Sequence, residues 1–170
     1  MVSWRALRKK AGPDGCPTKA PRGTLRQGAE KIGIAKLCAD AVAKARTPEA
    51  AKAIKWALSH LGMKYSQPHR NDPGYADCSS FVSRAYRDAI PGLYTGNAPT
   101  THTLRRLSWM RQISLGQAKP GDLVEPHPGH VAMQLAGGYK VHTNRPGDVA
   151  HVTRAYSSAT WVGWVDPSKV

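Results

Sequence analysis

The sequence predicts an α+β fold, with helices in the first part of the chain and an antiparallel β-sheet in the second. Helical apolar spacing and helix-start signals extend to about Leu107. Beyond Pro120-Gly121, apolar and polar residues alternate in short runs separated by turn residues. Helices followed by strands, within 170 residues, indicate one compact α+β domain.

Capping residues mark where the predicted helices begin and end. Thr47 is a preferred N-cap and Pro48 suits the first helical position, so one helix begins there and stops at Gly62. Asp77 is a preferred N-cap for a later helix, which ends before Pro91. The predicted helices cover residues 27–46, 47–62, 78–89 and 101–107, with irregular segments over 63–75 and 92–99.

The strands follow from alternation and from the turn residues between them. The predicted strands are Asp122–Glu125, His130–Leu135, Tyr139–Thr143, Ala150–Tyr156 and Trp161–Val165.

We expect residues 1–46 to be a basic N-terminal extension with one helix, and residues 47–170 to be the domain that carries the chemistry.

The net charge of +14 suggests a polyanionic partner, which could be nucleic acid, an anionic membrane surface or an anionic cell wall. Part of this charge, including Arg8-Lys9-Lys10, lies in a Gly/Pro-rich lead-in, where a solubilising arm is the alternative. No apolar run is long enough to span a membrane, and Met1-Val2-Ser3-Trp4-Arg5 lacks the apolar stretch of a secretory signal. We therefore expect a chain made in the cytoplasm that reaches any outside target after release.

The three cysteines do not have the spacing of a disulfide framework. Their odd number predicts at least one free thiol, and a disulfide scaffold is not expected. Cys38 suits a buried structural position in an Ala-rich helix, and Cys16 suits a loop.

Cys78 and His130 are the candidate nucleophile and base. At the first position of its helix, Cys78 lies near unpaired N–H groups and the positive end of the dipole, which lower a thiol pKa, although the charge of Asp77 opposes this. His130 follows Pro128-Gly129 at the mouth of a strand, where it can receive a proton from a neighbouring helix start. Each residue also has a structural explanation, as a buried cysteine or a strand histidine.

His142 is the candidate orienting group for His130, on a condition set by the turn between their strands. A two-residue turn at Gly137-Gly138 places residue 133 opposite residue 142, so that His142 projects from the wrong face. A catalytic pairing therefore requires a three-residue turn or a bulge, which a glycine at positive φ permits. We predict such a bulge.

An ordered set of short motifs resembles the NlpC/P60 cysteine peptidases. Asp77-Cys78-Ser79-Ser80-Phe81-Val82 is similar to the family's Asp-Cys-Ser-Gly-Phe-Val, and Gly129-His130-Val131-Ala132-Met133 to its Gly-His-Val-Gly-Ile. Val141-His142 resembles the segment of its second histidine. The other two similar segments are Leu61-Gly62-Met63-Lys64-Tyr65 and Pro120-Gly121-Asp122-Leu123-Val124, and together the motifs span about residues 50–165.

The resemblance implies a papain-like core and hydrolysis of short peptides in bacterial peptidoglycan, often between D-γ-glutamyl and a diamino acid such as diaminopimelate. It implies Cys78 as nucleophile, His130 as base and His142 as its orienter. Tyr65 is then expected beside the oxyanion region, and Asp77 and Ser79 on the acyl side, where a carboxylate could hold a substrate ammonium. No cofactor or metal is expected, and we expect a monomer whose basic surface could bind anionic wall polymers. The missing export signal and the basic surface suit a phage lysin.

This chain departs from the family pattern near the substrate groove. Ser66-Gln67-Pro68 replaces the Gly-Gly pair that often follows the tyrosine, and Ser80 replaces a glycine. Both changes make substrate specificity less predictable than the mechanism.

Three other functions fit parts of the sequence. The first is a zinc site of Cys78, His130 and His142, although no Cys-x-x-Cys or His-x-x-x-His pair supports it. A nucleic-acid-binding module fits the charge but lacks a recognition motif, so no nucleic acid is expected. An acyltransferase or amidase could use the same triad. The histidines expected at the surface or in loops are His60, His69, His102, His127 and His151.

Overall fold

The computed structural model describes residues 12 and 14–170 and confirms the predicted α+β architecture. Two segments used in the sequence predictions lie outside the described residues. They are Met1–Arg5, on which the predicted export route rests, and Arg8-Lys9-Lys10 of the predicted basic arm. The helices are α1 (Ala29–Ile32), α2 (Ile34–Ala43), α3 (Pro48–Ser59), α4 (Cys78–Ala89) and α5 (Thr101–Leu104). The strands are β1 (Lys64–Tyr65), β2 (Tyr75–Ala76), β3 (Met110–Ile113), β4 (Leu123–Glu125), β5 (Ala132–Gln134), β6 (Tyr139–His142), β7 (His151–Arg154) and β8 (Trp161–Val165).

The two long central helices begin where their caps predict. The Thr47 hydroxyl accepts a hydrogen bond from the Ala50 N–H at 2.9 Å at the start of α3.

The prediction of one helix over residues 27–46 is wrong, because Gly33 has φ of 89° and separates α1 from α2. No L side chain favours that conformation, so the chain changes direction there.

The main sheet has six strands in the order β3-β8-β4-β5-β6-β7, and every neighbouring pair is antiparallel. Helix α4 packs against α3 on one side and against β5 and β6 on the other. Buried apolar residues of both helices and both strands form one core, including Ile54, Leu58, Phe81, Met133 and Val141. The sheet therefore presents β5 and β6 to the N-terminal end of the helix that carries Cys78.

Two strand features were not predicted. The edge strand β3, which pairs with β8, was not expected, and the segment expected to be a loop over 63–75 contributes the short parallel pair β1–β2. The predicted strands are all present, most of them shortened at their ends. Among the described residues, no helix is both long enough and apolar enough to cross a membrane.

The segment before α1 packs on the free edge of β7. Leu25 forms a parallel bridge with Val152, and the Val152 N–H donates to the Thr24 carbonyl at 2.7 Å. Arg26 makes a two-pronged ion pair with Asp148, with N–O distances of 2.8 and 3.1 Å. The described part of the N-terminal extension is therefore joined to the sheet by main-chain and side-chain bonds.

Cys16 and Cys38 form a disulfide, with Cα atoms 5.8 Å apart. Cys16 and Cys38, expected as a loop thiol and a buried structural cysteine, are thus paired with each other. An odd cysteine count excludes complete pairing but not a single staple, and here Cys38 on α2 lies buried against the Cys16 segment. Cys78 is the free thiol that the odd count predicted.

Candidate active site

Cys78 occupies the first position of α4, where a capping box fixes the start of the helix. The Asp77 carboxylate accepts from the Ser80 N–H at 2.9 Å, and the Ser80 hydroxyl accepts from the Asp77 N–H at 2.9 Å. Reciprocal bonds of this kind satisfy two otherwise unpaired N–H groups and hold the first turn in one geometry. The thiol of Cys78, 7% exposed, therefore has a defined position at the edge of the core.

The sulfur of Cys78 lies against the main chain on both sides of His130. Its Sγ is 3.8 Å from the Gly129 carbonyl oxygen, and the Val131 N–H donates to it. On the other side, Sγ is 3.6 Å from the Thr101 hydroxyl at the start of α5. The fold thus brings Cys78 to the strand mouth that carries His130, as the sequence predicts.

Burial raises the pKa of the Cys78 thiol, and the negative charge of Asp77 raises it further. The Thr101 hydroxyl and the N–H groups of Val131 and Ser79 stabilise the thiolate, but they do not outweigh burial. The expectation of a lowered thiol pKa is therefore wrong, because desolvation exceeds the effect of the helix N-terminus. The resting sulfur is a neutral thiol.

His130 and His142 meet as the predicted turn geometry requires. Met133 pairs with Val141, and the Leu135 N–H donates to the Tyr139 carbonyl, which leaves a three-residue connection over 136–138. In that register, His130 and His142 project from the same face, and His130 Nε2 lies 2.9 Å from His142 Nδ1. Gly137 and Gly138 have φ of 70° and 83°, so the connection is the three-residue form of the two that the pairing allows, and a plain two-residue turn is excluded.

A third histidine continues the row. His142 Nε2 lies 3.2 Å from His151 Nε2, and His151 Nδ1 lies 2.8 Å from the Val149 carbonyl oxygen. The expectation that His151 is a surface or loop residue is wrong, because β7 pairs it directly with His142 and it is 3% exposed. A strand prediction alone does not give this contact, which requires the register between two strands. His60 is likewise buried rather than exposed, stacked on Trp56.

Burial lowers the pKa of all three histidines. Burial, together with the smaller effect of the neighbouring charges of His127, Lys140 and His151, lowers the pKa of His130 to about 4. Desolvation also lowers the pKa of His142 and of His151. At neutral pH the row is therefore uncharged, and His130, which follows the Gly129 carbonyl that lies against the Cys78 sulfur, carries a neutral imidazole.

The residues predicted on the acyl side of the site are held by Arg70, which the sequence did not single out. Arg70 Nε donates to the Asp77 carboxylate at 2.7 Å, and Arg70 Nη2 donates to the Ser79 hydroxyl at 2.9 Å. The guanidinium also donates to the carbonyls of Ala98 and Pro99. The charge of Asp77, expected to meet a substrate ammonium, is thus already balanced by Arg70.

Tyr65 and Tyr156 are two partly buried phenols of this region. Burial raises the pKa of Tyr65, and the charge that Cys78 carries when ionised raises it further. Tyr156, which sequence reasoning missed, has its hydroxyl 3.4 Å from His142 Nδ1, and burial raises its pKa to about 12. Both hydroxyls therefore remain protonated and available as donors near neutral pH.

The histidine contacts bear on the zinc alternative. His142 uses both ring nitrogens on neighbouring histidines, and His130 uses one. Within residues 12 and 14–170, no group of three His, Cys, Asp or Glu side chains is arranged to hold a metal ion. The rings are instead joined to one another by hydrogen bonds, which hold their orientation.

A helix-start cysteine facing histidines on an antiparallel sheet defines the class of fold, and comparison with known proteins identifies the family. The NlpC/P60 family profile matches residues 62–165, more than half of the chain. The protein therefore belongs to the NlpC/P60 family, which confirms the resemblance seen in the sequence. No curated protein matches the chain.

Solved structures share the fold. The NlpC/p60 domain of the peptidoglycan hydrolase SagA is 27% identical, with a TM-score of 0.54, over 66% of this chain and 96% of that one. The P60 domain of the M. avium subspecies paratuberculosis antigen MAP1204 is 21% identical, with a TM-score of 0.55, over 69% and 94%. The hypothetical invasion protein Rv1477 of Mycobacterium tuberculosis is 20% identical, with a TM-score of 0.56, over 70% and 63%.

Proposed function

We propose that this protein is a peptidoglycan hydrolase, a cysteine endopeptidase that cleaves a stem-peptide bond such as D-γ-glutamyl–diaminopimelate. The observation that carries the proposal is the free thiol of Cys78 at a helix start, packed against the main chain of Gly129 and Val131 on either side of His130, whose ring contacts His142. Membership of the NlpC/P60 family and likeness to the hydrolase SagA support the substrate class.

The chemistry begins from two neutral groups. His130 Nε2 is engaged by His142, which leaves Nδ1 as the ring nitrogen that accepts the Cys78 proton. The thiolate attacks the scissile carbonyl, and the Cys78 N–H, with Tyr65 as second candidate donor, stabilises the oxyanion. His130 then protonates the leaving amine, and water, deprotonated by His130, hydrolyses the thioester.

Two features of the whole chain support action on the cell wall outside the cytoplasm. A net charge of +14 favours contact with anionic wall polymers. The Cys16–Cys38 disulfide suits an oxidising environment, where such bonds persist. We propose that this protein is a phage lysin, which reaches the cell wall when the host cell is lysed.

The test is digestion of purified peptidoglycan by the wild type and by Cys78→Ala, followed by mass spectrometry of the released fragments. We expect the wild type to release peptides ending in a free D-glutamyl carboxylate and to expose a new diamino-acid amine. Cys78→Ala should lose activity by at least about a thousandfold while unfolding at the same temperature as the wild type.

Three outcomes would contradict the proposal. Equal release by both proteins would exclude the thiol mechanism, and no release by either would exclude the substrate. Products joined to an added amine instead of water would identify an acyltransferase that uses the same residues.

A further inference from the structure

We propose that His151 is a positioning residue for this site, which sets the tautomers of His142 and His130 so that His130 presents an unprotonated Nδ1 to Cys78. The inference rests on the proposed function for its catalytic meaning, but the tautomers themselves are a property of the resting protein. The directions of the hydrogen bonds follow from the group at the end of the row that cannot donate.

That group is the carbonyl of Val149, which fixes the direction of the row. A carbonyl oxygen only accepts, so His151 Nδ1, 2.8 Å away, carries the hydrogen. In a neutral imidazole the other nitrogen then bears a lone pair, so His151 Nε2 accepts from His142 Nε2–H across 3.2 Å.

Because each neutral ring has one donor nitrogen and one acceptor nitrogen, the hydrogen-bond directions can be assigned as far as His130. With its hydrogen on Nε2, neutral His142 has a lone pair on Nδ1, and His130 Nε2–H donates to it at 2.9 Å. His130 is then left with an unprotonated Nδ1, the form that a general base requires. The Tyr156 hydroxyl, 3.4 Å from His142 Nδ1, can donate or accept and is compatible with an accepting nitrogen there.

The opposite tautomer of His142 would reverse both bonds. A hydrogen on His142 Nδ1 would be donated to His130 Nε2, which would place the His130 hydrogen on Nδ1 and remove the base. Only the bond from His142 Nε2 to His151 discriminates between these two states, because the pair His130–His142 is satisfied in either.

The fold holds the anchor of the row firmly. The Val149 N–H donates to the Asp148 carboxylate at 2.8 Å, and Arg26 of the N-terminal segment pairs with the same carboxylate. The His151 ring lies 3.9 Å from that carboxylate and faces His142 across the β6–β7 pair. The N-terminal segment therefore fixes the peptide that precedes Val149. The Ala150 N–H, in the same peptide as the Val149 carbonyl, donates to the Met63 carbonyl at 2.9 Å.

The experiment compares His151→Phe and His151→Gln in the full chain. Phe fills the space but cannot accept from His142. Gln offers its NH2 group to the Val149 carbonyl and leaves its oxygen to accept from His142. His60→Phe is the matched control, because His60 is also a buried histidine whose Nδ1 contacts a main-chain carbonyl, at 2.6 Å, away from the His130–His142–His151 row.

Two readouts are needed. Two-bond ¹⁵N–¹H NMR correlations identify which ring nitrogen carries each hydrogen, without any substrate. In the wild type we expect hydrogens on Nε2 of His130, Nε2 of His142 and Nδ1 of His151. Steady-state kinetics on peptidoglycan fragments should show kcat of His151→Phe reduced by about tenfold to a hundredfold with little change in KM.

His151→Gln distinguishes the hydrogen bonds of His151 from its packing, because it can keep the hydrogen bonds that His151→Phe loses. His151→Gln should keep the wild-type tautomers of His130 and His142 and most of kcat, and His60→Phe should keep both. A wild-type spectrum with the His142 hydrogen on Nδ1 would overturn the proposal, as would full kcat in His151→Phe. A wild type with the expected tautomers but no hydrolysis would count against the proposed function and not against the role of His151 in setting them.

Discussion

At the scale of single residues, burial favours the neutral forms of the nucleophile and the base, which are the Cys78 thiol and the His130 imidazole. Burial raises the pKa of Cys78 and lowers that of His130, so ionising both at once is unfavourable before substrate arrives. Helix-start position alone predicts a thiolate, but 7% exposure of the side chain decides against it. Proton transfer is therefore coupled to attack on the substrate, and the groups around Sγ determine how readily it occurs.

Thr101 is the group whose contribution can be isolated. Its hydroxyl, 3.6 Å from Sγ, stabilises the thiolate, so Thr101→Val removes one hydrogen bond with little change of shape. Below the thiol pKa, we expect alkylation by iodoacetamide to slow by roughly two- to tenfold, the equivalent of one hydrogen bond. The rate reports Cys78 alone, because Cys16 and Cys38 are paired.

The control for this experiment is Thr103→Val on the same short helix. Thr103 is exposed, and its hydroxyl contacts Thr100 rather than Cys78. Its alkylation profile should match that of the wild type across pH. An unchanged rate in Thr101→Val would show that the hydroxyl does not support the thiolate.

At the scale of secondary-structure elements, backbone conformation at glycine positions the site. Gly121, at the entry to β4, has φ of 93°, and a Cβ there would lie 2.7 Å from the Ala50 Cβ on α3. Its carbonyl accepts from the buried Tyr86 hydroxyl at 2.5 Å. Gly138 has φ of 83°, but a Cβ there would meet nothing closer than 4.0 Å. A side chain at Gly138 would meet only the cost of the positive φ, whereas one at Gly121 would meet that cost and a clash with α3. Comparing the two substitutions therefore measures the cost of the clash.

We expect Gly138→Ala to lower the free energy of unfolding by about 1 kcal/mol, from the positive φ alone. Gly121→Ala should cost at least about 2 kcal/mol, because a rigid helix cannot move away from the added methyl group. Urea unfolding monitored by circular dichroism measures both. The opposite order of the two losses would show that α3 moves away from β4 at small cost.

Local capping signals made much of this arrangement predictable from sequence. Asp77 and Thr47 placed two helix starts correctly, and the need for His130 and His142 to share a face excluded a plain two-residue turn. His151 was missed because its contact depends on the register between β6 and β7, which no local pattern encodes. Arg70 was missed because an arginine in a loop has no periodic signal, whereas its partners are set by the tertiary fold.

At the scale of the whole molecule, two side-chain links hold the described N-terminal segment, in addition to its main-chain bonds to β7. The disulfide joins Cys16 to α2, and the Arg26–Asp148 ion pair joins the segment to the loop before β7. The pKa of Asp148 is held well below its usual range, mainly by its hydrogen bonds from Arg26. Opening the N-terminal segment would therefore also release the loop that anchors His151.

The disulfide is the part of this attachment that can be removed cleanly. In a Cys78→Ala background, where no free thiol can exchange, adding Cys16→Ala and Cys38→Ala should lower the free energy of unfolding by about 3 kcal/mol. The sequence separation of 22 residues sets that expectation, since the entropy that a cross-link removes from the unfolded chain grows with the logarithm of the loop length. Urea unfolding should show that a reductant brings the Cys78→Ala protein to the stability of the triple variant and leaves the triple variant unchanged. Equal stability of the two proteins without reductant would mean that the contacts of the N-terminal segment with β7 are sufficient to hold it.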